Sequence, residues 1–214
     1  MINLKSSIKK FPILTSFVRH FLNIARQIGS KSKWRSIENF EVIKLDLGSG
    51  AKRGINGWTT IDIKGADINW DLRRGIFLPD NCVEYLYSSH LMEHIPYVQL
   101  IAFLKECRRV LKPTGKLSVC VPNARLYLES YMSGKLFRDK STWWQPAIVD
   151  TGSKIDQINY IAYMGGQHNN MFDEESLVNT LLAAGFQSAS LRGFDPDLDL
   201  RERDFESIYA IAEK

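Results

Sequence analysis

Cysteine is scarce and unpaired in this chain. Cys82, Cys107 and Cys120 are widely spaced and form no C-x-x-C pair. That excludes a zinc knuckle and a disulfide framework, and it fits a reducing, cytoplasmic setting. No internal repeat and no low-complexity tract is present. The N-terminal stretch lacks the marks of a signal peptide, because Arg19 and His20 interrupt its apolar residues and no small-residue cleavage site follows. It is also too short and too charged to span a bilayer. No ladder of alternating basic and aromatic residues points to nucleic acid. What remains is ordinary globular material: 44% hydrophobic and 24% charged residues over 214 positions, enough for one α/β domain with a full core.

The net charge of +4 is unevenly placed. Residues 1–40 carry eight lysines and arginines against Glu38 alone, a net +7 that leaves the rest of the chain at −3. Within this arm Phe11, Leu14, Val18, Leu22 and Ala25 recur at steps of three and four, which predicts a basic amphipathic helix entered through Pro12. Such a helix suits packing on the domain, on a second copy in a homodimer, or peripherally on an anionic inner-membrane face. The polar, basic run Ser30–Ser36 reads as a linker. The domain proper then covers residues 41–214.

From Glu41 onward strand and helix patterns alternate. Val42–Leu47, Trp58–Ile63, Ala66–Trp70, Val83–Ser88, Lys116–Val121, Gln187–Arg192 and Ser207–Ala212 read as strands. Val98–Leu111 and Leu177–Ala184 have helical periodicity and end in Gly or Pro signals. Residues 131–170 resist periodic description. This insertion holds Trp143, Trp144 and Tyr163, which suit a lid or a sugar-stacking wall, or equally a small satellite core.

Leu45-Asp46-Leu47-Gly48-Ser49-Gly50 is a strand running into a tight glycine turn, and Thr60-Ile61-Asp62-Ile63 is a second strand ending in an acid. Glycines let a backbone approach a ligand closely, and a carboxylate at the next strand end accepts from a ribose diol. The pair points to a nucleoside-containing cofactor. A dinucleotide fingerprint needs a third glycine and an acid about 20 residues on. Here Ala51-Lys52-Arg53 follows the turn and Asp62 lies 12 residues beyond Gly50, which disfavours a nicotinamide cofactor and abbreviates any helix between.

LDLGSG (45–50), GWTTIDI (57–63), DL (71–72), LPDNCVEYLYSSHLMEHI (78–95), FLKECRRVLKPTGKLSVCVP (103–122) and HNNMFDEESLVNTLLAAGF (168–186) occur in this order. Together they resemble the class I S-adenosylmethionine-dependent methyltransferases, and more closely the type-11-like branch associated with bacterial sugar and polysaccharide biosynthesis. The resemblance covers roughly residues 42–214. It implies a Rossmann-like, doubly wound, three-layer sandwich whose seven-stranded sheet is mainly parallel with the last strand antiparallel beside the fifth. The implied activity is methylation, with oxygen of a sugar or glycan intermediate as acceptor. A catalytically silent member that binds a nucleoside or a partner is the alternative.

The resemblance also implies roles for residues. Gly48, Ser49 and Gly50 would meet the methionine part of S-adenosylmethionine, and Asp46 would lie near its ammonium or orient this loop. Asp62 would hold the ribose and Ile63 would lie against the adenine. Asp71 and the Leu72 amide would read the adenine edge. Ser88 opens the corner placed beside the sulfonium.

His90-x-x-Glu93-His94 is formally an inverted zincin string. Pro96 follows two residues later, however, so the segment is a corner rather than the long helix such chemistry requires, and no metal is expected from it. His90, His168 and His94 are the candidates for a general base toward a hydroxyl acceptor, with Glu93 orienting a histidine or binding a hydroxyl.

Overall fold

In the computed structural model, which describes residues 29–214, the alternating pattern becomes one seven-stranded sheet in the order β3-β2-β1-β4-β5-β7-β6. The strands are β1 (Lys44–Leu47), β2 (Trp58–Asp62), β3 (Ile68–Asn69), β4 (Val83–Ser89), β5 (Leu111–Pro122), β6 (Ser188–Arg192) and β7 (Ser207–Glu213). All neighbours pair in parallel except at β7, which runs antiparallel to both β5 and β6. Flanking helices complete the expected Rossmann-like architecture. The amphipathic helix expected within residues 1–28 lies outside the described residues. Among the described residues no helix is long and apolar enough to cross a membrane.

Register and alternation sort the side chains. Leu45 pairs with Leu86, Leu86 with Leu117, and Leu117 with Ala212, so these share one face. Onto that face packs α2 (Tyr97–Val110) through Leu100, Phe103, Leu104, Cys107 and Val110, all buried at helical spacing. The run Ser30–Ser36 is not a linker but part of a helix, α1, over residues 29–37. Its polar text hides Trp34 and Ile37, which are buried in the main core, Trp34 meeting Trp70 edge-on at 6.4 Å. No helix separates β1 from β2; the chain passes from Gly50 to Trp58 as a loop.

The irregular insertion is ordered around a second, smaller core. Here α3 (Ala124–Met132) and α4 (Asp156–Tyr163) bring together Tyr127, Trp143, Tyr160, Ile161 and Met164. Trp143 stacks on Tyr160 at 4.1 Å. Two buried polar side chains hold the loops. Gln157 accepts from the Phe137 amide at 2.9 Å and donates to the Lys135 carbonyl at 2.8 Å. Asp156 accepts from Lys140 at 3.0 Å and from the Thr151 amide at 2.8 Å. Helix α5 (Glu174–Ala183) begins at Asp173, whose carboxylate accepts from the Ser176 amide in a capping box.

The candidate functional site

Strand order reverses at β1 and β4, so a crevice opens beyond their carboxyl ends, where open α/β sheets take their ligands. Gly48, Asp62, Ile63, Asp71 and Leu72 line one cavity there of about 170 Å³, together with Trp70, Leu91, His94 and Ile95. Five of the nine residues expected to hold a cofactor are thus assembled. Gly48 has φ +76°, and a Cβ on it would lie 2.8 Å from Leu91, so the turn and the strand-four corner meet only because this residue is glycine. Asp62 accepts from the Gly50 amide at 2.9 Å through Oδ2. Its Oδ1 has only a long contact, 3.4 Å from the Lys64 amide, and so keeps lone pairs for a diol. The apolar walls of Ile63, Leu72, Leu91 and Ile95 suit a flat heterocycle. These residues fit a nucleoside.

The other four expected residues are placed differently. Ser49 is buried behind the turn, its hydroxyl on the Gly50 carbonyl at 3.2 Å. Gly50 is exposed, with φ +68° and open space beside it. Ser88 is buried and lines neither this cavity nor its neighbours; its Oγ has no hydrogen-bond partner. Asp46 belongs to the other face of the sheet and opens onto a separate cavity of about 410 Å³ with Lys52, Trp58, Thr60 and Tyr87. Asp71, although in the first cavity, spends both oxygens on Arg73, at 2.9 and 2.8 Å.

Burial raises the Asp46 carboxyl to about 6, against a pull from Lys52 and with a push from Asp62. The folded chain therefore binds more protons than the unfolded one between roughly pH 4 and 6, and stability falls as pH rises through that window. Asp46→Asn should flatten this slope and raise stability at pH 8 by up to about 3 kcal/mol. Thermal melts of the two proteins from pH 4 to 8 check it; parallel curves would contradict the placement.

A third cavity, about 110 Å³, adjoins the first at His94. Its lining includes His90, Glu93, His168, Trp144, Gln167, Arg203 and Glu206, so all four expected catalytic residues come together. The corner explains the local geometry. His90 sits at φ +50°, its Nε2 against Ser207 Oγ at 3.0 Å and its Nδ1 3.5 Å from Glu93. Burial alone would lower its pKa, but hydrogen bonding to Cys120 and Glu93 and the charge of Glu93 raise it to about 9. Burial lowers the pKa of His168, and hydrogen bonding to the Ile161 carbonyl only partly opposes this.

His168 reaches the corner because its neighbours are stitched to it. The Asn169 amide donates to the Glu93 carbonyl at 2.7 Å, Asn169 Nδ2 to the His94 carbonyl at 3.0 Å, and Asn170 Nδ2 to the Ile95 carbonyl at 2.6 Å.

Two lining groups, Glu206 and Arg203, escaped the sequence reading, and Trp144 was expected only together with Trp143. Trp144 is half-exposed, whereas Trp143 beside it is core; nothing in a Trp-Trp pair says which faces inward. Glu206 is buried, accepting from Tyr127 at 3.2 Å and from the Trp144 indole. Arg203 lies over the Trp144 ring at 4.7 Å. Both come from a loop whose acidic text reads as solvated surface.

Comparison with known proteins places these features in context. The family model described as a methyltransferase domain matches residues 20–191. Among solved structures, the chain is similar to a SAM-dependent methyltransferase from Archaeoglobus fulgidus, at 15% identity over 88% of this chain and 94% of that one, TM-score 0.49. It is also similar to an S-adenosylmethionine-dependent methyltransferase from Mesorhizobium loti, at 15% identity over 86% and 96% of the two chains, TM-score 0.48. A third is phosphoethanolamine N-methyltransferase 2 of Haemonchus contortus in complex with S-adenosyl-L-methionine, at 12% identity over 81% and 48%, TM-score 0.44. No curated protein matches the sequence.

Proposed function

The chain belongs to the methyltransferase-domain family, and from that premise we propose that it transfers a methyl group from S-adenosylmethionine to a hydroxyl of a sugar or glycan intermediate. The observation that carries this reading is the junction of two cavities at His94: a nucleoside-shaped cleft on one side and a polar, aromatic chamber on the other.

S-adenosylmethionine, when bound, supplies a methyl group on a positively charged sulfur. The protein's task is then chiefly alignment. Asp62 accepts from the ribose hydroxyls, while Ile63, Leu72 and Leu91 pack on the base. The Gly48–Gly50 turn lets the backbone pass close to the rest of the cofactor. On the acceptor side Gln145, Gln167 and Arg203 offer amide and guanidinium donors for a sugar's hydroxyls, beside the half-exposed Trp144 ring. His90, with its Nε2 on Ser207 and its Nδ1 facing Glu93, is a positioning residue that holds the Glu93 carboxylate at the chamber. The Glu93–His94–His168 cluster lies at the junction, where the hydroxyl proton must be handled. The insertion supplies Trp144 and Gln145 to the chamber and thereby confers selectivity.

Release of S-adenosylhomocysteine against a panel of sugars, nucleotide sugars, phenols and amines tests the acceptor. Turnover with sugar hydroxyls alone is expected. Turnover only with phenols or amines would overturn the sugar assignment, and cofactor binding without turnover on any class would favour the silent reading.

A further inference from the structure

We propose that Glu93, His94 and His168 form a binding site for one divalent transition-metal ion of the zinc or cobalt type. This is not the H-x-x-E-H string of the sequence. His90 of that string has its Nε2 on Ser207, and the third donor arrives from residue 168 instead.

Three observations independently point to a cation. First, each of the three residues offers a donor atom, and these atoms all lie within 4.8 Å of one another. Glu93 Oε1 is already 3.8 Å from His94 Nε2. Zinc bonds of roughly 2.0–2.1 Å to nitrogen and oxygen bring ligand atoms to about 3.4 Å from each other, so a side-chain contraction of about 1 Å closes the set.

Second, both histidines are held in the tautomer a metal needs. His94 Nδ1 lies 3.0 Å from the Gln167 carbonyl, and His168 Nδ1 lies 2.7 Å from the Ile161 carbonyl. A carbonyl only accepts, so each Nδ1 carries the proton and each Nε2 keeps its lone pair. A ring N–H donating to a backbone carbonyl is the usual outer support of a metal-ligating histidine. The two rings approach edge-on, with centroids 4.9 Å apart.

Third, Glu93 is 2% exposed and, among the described residues, its Oε2 has no hydrogen-bond partner. A buried carboxylate oxygen without a partner is costly, and a cation held by both carboxylate oxygens would remove that cost. Two imidazoles and one carboxylate are a borderline ligand set, better matched to zinc, cobalt or nickel than to magnesium or calcium, which prefer all-oxygen sites.

Three protein ligands would leave coordination positions open, and the three residues line one chamber with Trp144, Gln167 and Arg203. An acceptor bearing adjacent hydroxyls is the ligand that would complete them. That last step rests on the methyl-transfer reading, whereas metal binding itself does not.

The test uses the full-length protein, freed of metal by a chelator and titrated with zinc chloride and, separately, cobalt chloride. One equivalent is expected to bind, with visible cobalt bands. His168→Ala and Glu93→Gln should each weaken zinc binding by about 100-fold or more, since loss of even an outer-shell partner costs roughly 10–100-fold. Failure of the wild-type protein to bind, or equal binding by the variants, would overturn the proposal. Should the variants not fold, X-ray absorption of the zinc-loaded wild-type protein decides: a nitrogen and oxygen shell with two imidazoles supports the site, and a sulfur shell from the cysteines refutes it. Calorimetry with S-adenosylmethionine on the same samples keeps failure of this site distinguishable from failure of the methyltransferase reading.

Discussion

Asp62→Ala weakens S-adenosylmethionine binding by about 100-fold or more while the sheet stays folded. Hydrogen bonds to a charged group are worth about 1.5–3 kcal/mol each, and a ribose diol makes two to one carboxylate, so the combined loss spans roughly two decades or more. The stability cost is smaller. Asp62 is only partly buried and, within the protein, accepts one good hydrogen bond, from the Gly50 amide at 2.9 Å. The same bond makes the prediction sharper, because Asp62 also fixes the glycine turn. Asp62→Asn keeps an acceptor but loses the charge, so its affinity should fall between wild type and Asp62→Ala. Isothermal titration of the three proteins, with circular dichroism as the folding control, reads both effects. Unchanged affinity in a folded Asp62→Ala protein would remove Asp62 from the cofactor site.

The largest stability effect is expected at Asp199. Its side chain is fully buried and accepts from Arg192 at 2.6 and 2.9 Å, from the Tyr87 hydroxyl at 3.0 Å and from the Asp195 amide at 2.7 Å. Arg192 in turn donates to Ser118 on β5 at 2.8 Å. This cluster ties the 193–206 connection to the sheet, and that connection carries Arg203 and Glu206 into the chamber beside His94. Removing one partner of a buried pair leaves an uncompensated charge, at a cost of about 3–5 kcal/mol. Asp199→Ala should therefore lower the melting midpoint by roughly 6–20 °C for a chain of this size. The double variant Arg192→Met/Asp199→Leu should recover most of the loss, because two apolar side chains leave no charge behind. A drop of less than about 2 °C in the single variant would mean that the pair is not buried in solution.

The fold was legible because its signals are local. Strand alternation, the Gly48–Gly50 turn and the acid at Asp62 each depend on a few adjacent residues, whereas the topology, the antiparallel last strand included, was implied by the family resemblance. The features that escaped depend on contacts across long separations. Ser30–Ser36 reads as a basic linker because Trp34 is its only apolar residue, yet Trp34 and Ile37 bury α1 in the core. Residues 131–170 have no period because their core is assembled from irregular segments around Tyr160 and held by the buried Gln157 and Asp156. Asp46 looked like a cofactor ligand from its place before the glycines, yet strand alternation turns it to the opposite face from Leu45 and Leu47. His168 illustrates the general case. The text HNN gives its chemistry but not its neighbours, and only the hydrogen bonds of Asn169 and Asn170 to residues 93–95 bring it against Glu93 and His94.

The most direct test of the account is a calorimetric titration of the wild-type, full-length protein with S-adenosylmethionine. The account predicts saturable binding of one cofactor per chain, competed by S-adenosylhomocysteine and not by a nicotinamide dinucleotide. A folded protein that gives no saturable binding, or that prefers the dinucleotide, would contradict it.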